Sequence, residues 1–550
     1  METRKLILYM ALAFVLLLIW QAWQQGYGVK DAAGPAVTSP AAEQVTPAPD
    51  RPADTPSVPA ASSAGAPGAT AAPEVLAKDG QRIRVSTDVL QVEISSTGGD
   101  LRRVDLPAYP VAADKPGEPV RLFNEQAEKL FIAQSGLLSQ SGAPDHHAEY
   151  QAAETEYRLA QNSDEIKVPL TWSGPQGMQV IKTYTFKRGS YEIGVSYEIK
   201  NTGAEEWRGR LYAQFQRAPE SGQSGFIYTY TGAVLSSAEN KYEKISFDDM
   251  QEKNLARDVQ GGWAALIQHY FVGAWIPDAA ARNHYYTKAL DGPRYLVGVV
   301  QPEQTIAPGQ SATLAIKLYA GPKLQDRLKE VAPNLDLTVD YGVLTIIAQP
   351  LFWLLEYIYH LAGNWGWAIV LLTLLVKLVF YHLSAASYRS MANMRKLQPR
   401  IQAIRERHGD DRQAMGQAMM ALYKTEKINP LGGCLPVLVQ IPVFIALYWV
   451  LLESVELRQA DFVLWINDLS SKDPYYILPL IMGATMLIQM KLSPPPPDPL
   501  QAKVMMILPI VFTFFFAFFP SGLVLYWVVN NALSILQQWY ITRKIVGSDK

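Results

Sequence analysis

Ile369-Val370-Leu371-Leu372-Thr373-Leu374-Leu375-Val376-Lys377-Leu378-Val379-Phe380 is an apolar run with one cation inside it. A charged side chain in the middle of a bilayer-spanning helix costs ~2.5–3.5 kcal/mol on insertion scales, so it faces a wet cavity or a partner, or snorkels to the headgroups. Thr373, four residues earlier, shares the helical face of Lys377. The run lies inside the apolar stretch 365–383, which is followed by others at 431–452, 475–490 and 504–519 and by a fifth from 523 to about 540. These lengths suit membrane-crossing helices. The C-terminal part therefore reads as a polytopic α-helical bundle.

Working outward, the other apolar segments carry polar residues that can converge on Lys377: Gln440, Gln489, Asn530 and Asn531. No acid lies at matching depth, since Glu453 falls near the opposite interface. A cation with only neutral polar neighbours implies a hydrated cavity open to the cytoplasm; ordinary helix–helix hydrogen bonds are the alternative. Residues 384–429 form a loop with nine Lys/Arg and four acids, whereas 454–473 holds two basic and four acidic residues. The positive-inside bias puts the first in the cytoplasm and the second outside.

That assignment decides the status of 343–361, which holds Pro350, Trp353, Glu356, Tyr357, Tyr359 and His360. Its apolar residues recur at 344, 347, 351, 354/355, 358 and 361, a stripe suited to a helix lying in the interface plane. As a span it would move the cationic loop outside. Six spans are expected, counting 6–20 after Arg4 and Lys5, where Trp20 and Trp23 mark an uncleaved anchor with a cytoplasmic N-terminus. Arg543 and Lys544 place the C-terminus inside as well.

The cytoplasmic loop repeats apolar residues at helical spacing, first Met394, Leu397, Ile401 and Ile404, then Met415, Met419 and Leu422. Between them His408-Gly409-Asp410-Asp411 supplies a helix stop and a cap. The expected product is a helical hairpin whose methionines, including Met391 and Met420, make a soft apolar surface. Met391, Met394, Met415 and Met419 are its candidate contacts for varied partner segments, although most seam residues of such a hairpin simply pack on one another.

The rest of the 550-residue chain is of a different kind, and a mean hydropathy near zero averages the two. Residues 29–79 are rich in Ala, Pro, Ser, Thr and Gly and read as a disordered periplasmic tether. From 80 to about 320, strands alternate with turns, at 82–86, 90–95, 179–187, 191–200, 210–216, 270–276 and 312–318. In Tyr191-Glu192-Ile193-Gly194-Val195-Ser196-Tyr197 every second side chain is apolar, so one sheet face is buried. A large antiparallel β-sandwich follows, with a short helix at 322–331 returning to the membrane.

Exclusions are few but firm. A net charge of −2 argues against a nucleic-acid binder, and the single cysteine, Cys434, excludes an intrachain disulfide and thiolate metal clusters. There is no P-loop, HExxH or GxSxG. Ser521 and His382 fall at opposite membrane faces, too far apart for a dyad. His146, His147 and His269 read as isolated surface or packing residues. No enzymatic activity, cofactor or metal is expected.

The chain resembles the YidC family of membrane protein insertases, relatives of the Oxa and Alb proteins. The resemblance rests on Leu397-Gln398-Pro399, Asn429-Pro430-Leu431-Gly432-Gly433-Cys434, Gln440-Ile441-Pro442, Asp473-Pro474-Tyr475-Tyr476-Ile477-Leu478-Pro479 and Phe519-Pro520-Ser521-Gly522-Leu523-Val524-Leu525-Tyr526. It implies an uncleaved anchor (1–28), a linker (29–79) and a periplasmic domain (80–335) similar to the supersandwich of sugar mutarotases. An interfacial helix (336–362) and a five-span core (363–545) containing the hairpin 384–429 follow. It also implies a groove open to cytoplasm and lipid and closed toward the periplasm, formed by Lys377, Thr373, Gln440, Tyr526, Trp527 and Asn530. The family's usual arginine is lysine here, which keeps the charge but loses the guanidinium fork. Implied partners are nascent membrane proteins, Sec translocon components, membrane lipids and the ribosome through basic loops. A polytopic small-solute transporter with a carbohydrate-binding-like domain is the alternative.

Overall fold

The computed structural model describes residues 52–56, 80–174, 177–219, 229–409, 411–426, 435–493 and 499–547. The expected anchor, most of the tether and the Asn429-to-Cys434 motif lie outside the described residues.

Period-2 patterning produces the β domain. In the strand Glu192–Asn201, Ile193, Val195, Tyr197 and Ile199 are buried while their neighbours face outward. Val195 pairs with Tyr184 on one side and Ile316 on the other, so both neighbouring strands keep their apolar side chains on the same face. Strands form an eleven-stranded and a nine-stranded sheet. All seven strand positions read from the pattern are strands here. The expectation of a purely antiparallel sandwich needs one correction: Arg82–Ser86 pairs parallel with Glu156–Arg158. The long connection between these strands, which passes through both sheets, permits that arrangement.

The short helix comes at Gln325–Val331, and 3-10 turns lead to the Thr345–Ala362 helix. Its buried side chains are Ala348, Phe352, Leu355 and Ile358, with Ile347, Leu351 and Leu354 half-buried beside them. The stripe is thus rotated from the one expected, and Leu361 is exposed. Trp353 and Tyr357 stack on the outer side at 6.1 Å. By length and composition, Gly342–Ala362 is the one single helix among the described residues apolar enough to cross a membrane.

Helices occupy each of the five later apolar segments: Trp365–Val379, Leu435–Glu453, Ile477–Leu492, Pro499–Phe516 and Ser521–Gly547. The first is shorter than expected. It stops at Phe380 (φ −90, ψ 12) and turns by 68° into the Tyr381–Lys396 helix. The bend contains no proline; Gln537 Nε2 instead donates to the Tyr381 carbonyl at 3.3 Å. The Ser521–Gly547 helix is the hub, packing on Trp365–Val379, Tyr381–Lys396 and Ile477–Leu492.

The β domain and the bundle share one continuous apolar core. Polar contacts fix the joint. Lys323 Nζ pairs with Glu453 Oε2 at 3.0 Å and donates to the Thr338 carbonyl at 3.1 Å, with both charged side chains nearly sealed from solvent. Beside them, the His269 ring hydrogen-bonds the Leu452 carbonyl at 3.0 Å. Burial, helped by the Lys323 charge, pulls this imidazole down to about 4, so at neutral pH its Nε2–H donates. Tyr341 links Gln325 (2.6 Å) to Ser454 (3.1 Å), and Arg458 and Gln459 both donate to the Pro110 carbonyl, at 2.7 and 2.9 Å.

Removing one member of a buried ion pair leaves a charge without compensation. Lys323→Ala is therefore expected to destabilise the joint by about 3–5 kcal/mol, and the double substitution Lys323→Met, Glu453→Leu by much less. Thermal unfolding of the purified protein in detergent checks the difference.

Candidate functional site

The site is built where the bent first helix meets the hub. Lys377 lies one turn before the bend and is only 7% exposed. Its amine donates to Ser534 Oγ at 2.7 Å, and that hydroxyl donates in turn to the Asn530 carbonyl at 2.7 Å. Among the described residues no carboxylate pairs with Lys377. The cation is held by a neutral hydroxyl inside the bundle rather than directed to the rim. Snorkelling does not describe this geometry.

Asn530, Ser534 and Gln538 recur every four residues, and Asn531 lies beside them, so the hub presents a polar stripe to its neighbours. Asn531 Nδ2 donates to Thr485 Oγ1 at 3.2 Å and Gln538 Nε2 to Ser493 Oγ at 3.4 Å, while Gln538 Oε1 is buried without a partner among the described residues. An orphan acceptor of this kind is ordinarily satisfied by water. Sequence reading found Asn530 and Asn531 but missed Ser534 and Gln538, although the four-residue spacing on an otherwise apolar helix was visible. Gln489, weighed as a neighbour, contributes its carbonyl to Ser493 Oγ at 3.0 Å.

The other expected groove residues divide. Thr373 is buried on the Lys377 helix, but its hydroxyl donates to the Ile369 carbonyl at 2.6 Å and is spent within its own turn. Gln440 is half-buried on the Leu435–Glu453 helix, two residues before the internal Pro442. Tyr526 and Trp527 join an aromatic cluster: Phe444 stacks on Tyr526 at 6.2 Å and meets Trp527 edge-on at 4.5 Å, and Phe516 lies 5.1 Å from Trp527. They stand two turns along the hub from Ser534, so they border an apolar zone and do not touch the cation.

The hairpin has two arms, Gln398–His408 and Arg412–Thr425. Asp411 caps the second, accepting from the Gln413 and Ala414 amides at 2.9 and 3.0 Å, as the sequence suggested. The seam is Leu397 and Ile401 against Met419, Leu422 and Tyr423, and Arg400 pairs with Glu426 at 2.5 Å across it. Met419 is therefore committed to packing. Met391 and Met394 sit half-buried on the preceding Tyr381–Lys396 helix, Met415 is half-buried outside the seam, and Met420 is the exposed one.

At the other end the bundle is plugged. Asp473, almost fully buried, accepts from the Trp465 indole (3.0 Å) and the Tyr475 and Leu478 amides (3.0 and 2.7 Å). The last of these satisfies a first-turn amide of the Ile477–Leu492 helix, whose N-cap residue is Tyr476. Ser521 Oγ donates to the Asp468 carbonyl at 2.8 Å, a structural bond that accounts for this serine without catalysis. Phe462 packs so tightly on Gly366 that a Cβ there would fall 2.0 Å from its ring.

With this geometry in view, relatives become informative. Residues 82–354 match the family described as YidC periplasmic domain, and 357–548 match 60Kd inner membrane protein. A membrane protein insertase YidC of Nitrosococcus oceani is 53% identical, covering 99% of both chains. That of Thioalkalivibrio sulfidiphilus is 51% identical over 100% of both.

The chain belongs to the YidC family of membrane protein insertases.

Membership makes it an inner-membrane protein with a periplasmic domain, and membrane protein insertion is not an enzymatic activity. A YidC insertase crystal structure aligns over 84% of this chain and 92% of that one, with a TM-score of 0.39 and 20% identity. A galactose mutarotase related enzyme from Lactobacillus acidophilus aligns over 44% of this chain and 97% of that one, with a TM-score of 0.30 and 8% identity.

Asp473 is tested directly. Its carboxylate serves three donors in a dry setting, so Asp473→Ala is expected to cost about 2–4 kcal/mol. The check is a lowered thermal midpoint of the purified protein in detergent.

Proposed function

We propose that this chain inserts client membrane proteins through a polar groove centred on Lys377, acting alone or beside the Sec translocon. The observation that carries the reading is the buried Lys377–Ser534 contact with no counter-charge. A cation kept inside a bundle at a cost of this kind is ordinarily functional. The polar stripe of Asn530, Asn531, Ser534 and Gln538 offers hydrogen bonds to a client's flank and so lowers its desolvation penalty.

An incoming apolar segment meets the cytoplasmic hairpin first, where Met420, Met415 and the half-buried Met391 and Met394 form an adaptable surface. Its hydrophilic flank then enters beside Lys377, which attracts acidic groups. A membrane potential positive outside adds ~2.3 kcal/mol per negative charge per 100 mV toward outward movement. The apolar segment slides past the Phe444, Phe516 and Trp527 zone into lipid, gaining favourable transfer energy. Trp365–Val379 has 15 residues, or about 22 Å of helix against the ~30 Å of a normal hydrocarbon core. The local bilayer adapts by thinning, which shortens the client's path.

In this reading the protein crosses the membrane six times with both termini in the cytoplasm, and Thr345–Ala362 lies in the outer interface. The plug around Asp473 and Phe462 supports closure toward the periplasm. Basic residues of the hairpin offer a ribosome contact, and nucleic acid is not bound directly.

Lys377→Arg is expected to retain insertion, Lys377→Ala to lower it by about tenfold for clients with acidic flanks, and Lys377→Glu to abolish it for those clients. Protease protection of such a client in cells depleted of the native protein is the readout. Full activity of Lys377→Glu contradicts the electrostatic step.

A further inference from the structure

Three chemistry-bearing side chains that membrane insertion leaves unused converge in the β domain. Asp54, from the tether, places one carboxylate oxygen 2.9 Å from His146 Nε2 and the other 3.0 Å from His147 Nε2. All three donor groups lie within 4.8 Å of one another. The tether was expected to be disordered, but its described residues are docked. Gln214 Nε2 donates to the Asp54 carbonyl at 3.0 Å, and Lys288 donates to the Ala53 carbonyl. Asp54 and Thr55 are buried, and Thr55 N closes a turn onto the Pro52 carbonyl at 3.1 Å. Ordering each residue of such a segment costs ~1–2 kcal/mol of backbone entropy, so a strong local hold is required.

We propose that Asp54, His146 and His147 bind one divalent transition-metal ion of the zinc class, which fastens the tether to the β domain. Two imidazoles and a carboxylate are the donor set such ions take, with water completing the shell. Bonds of ~2.0–2.2 Å in a tetrahedral shell set neighbouring donors ~3.3 Å apart; each imidazole–carboxylate spacing, to its own oxygen, is a few tenths of an ångström shorter, and every donor spacing is within 4.8 Å. The second layer is in place. The Tyr212 hydroxyl lies 2.5 Å from His146 Nδ1 and also takes the His146 backbone N–H at 3.0 Å. It fixes the ring with Nε2 toward Asp54, to which Nε2–H donates, and a metal ion would displace that proton.

Gly98 (φ 74) secures the 146–148 segment, since its amide donates to the Ala148 carbonyl at 2.7 Å and a Cβ would strike the His146 carbonyl at 2.3 Å.

The test titrates Zn2+ alone into the untagged, chelator-stripped full chain in detergent, in competition with a chromophoric chelator. One equivalent is expected to bind. Asp54→Asn and His147→Gln, neither of which removes a core side chain, should each weaken it by at least about tenfold. His284→Gln, which alters only a surface His–Asp pair of 2.7 Å, should leave it unchanged. Absence of stoichiometric uptake, or uptake that survives either Asp54→Asn or His147→Gln, overturns the proposal and leaves a plain ion pair.

Discussion

The contact between Lys377 and Ser534 constrains the whole bundle. A lysine amine needs donors satisfied and charge solvated, yet here its protein partner is one neutral hydroxyl. Such an arrangement calls for further polarity nearby, and Asn530, Asn531 and Gln538 lie on the same helix as Ser534. The bend at Phe380 follows from the same place, because it turns the chain into the cytoplasmic hairpin one turn after the cation. Cation, bend and hairpin are thus consecutive along the chain.

The β domain is joined to the bundle as firmly as a second layer of core. Lys323 and Glu453, His269 and Leu452, and the Pro110 contacts all meet the outer end of the Leu435–Glu453 helix or the loop after it. Because the joint is buried, movement of that helix is resisted by the sheet behind it. The same loop carries Asp468 and Asp473, which organise the plug.

Much of this was legible in the sequence because the signals were periodic. Alternation in Tyr191–Tyr197 gave the sheet, the apolar lengths gave the helices, and Lys377 stood out by its cost. Three features were not legible for physical reasons. The bend at Phe380 has no proline or glycine to announce it. Tyr526 and Trp527, expected in the groove, join an aromatic cluster with Phe444 and Phe516, a set of contacts between helices that no single stretch of sequence displays. Contacts of long sequence separation, such as Lys323 with Glu453 and Asp54 with the two histidines, leave no local pattern at all. The histidines read as isolated because their partner lies in a segment whose composition argues for disorder.

The central claim is that water reaches the Lys377 position from the cytoplasm. The direct measurement is the rate at which a membrane-impermeant thiol reagent labels Lys377→Cys, in a Cys434→Ser background, from the cytoplasmic side of inverted vesicles. The account predicts labelling below that of the exposed hairpin site Met420→Cys but far above that of Leu371→Cys on the outer face of the same helix. Labelling at 377 as slow as at 371 would contradict it.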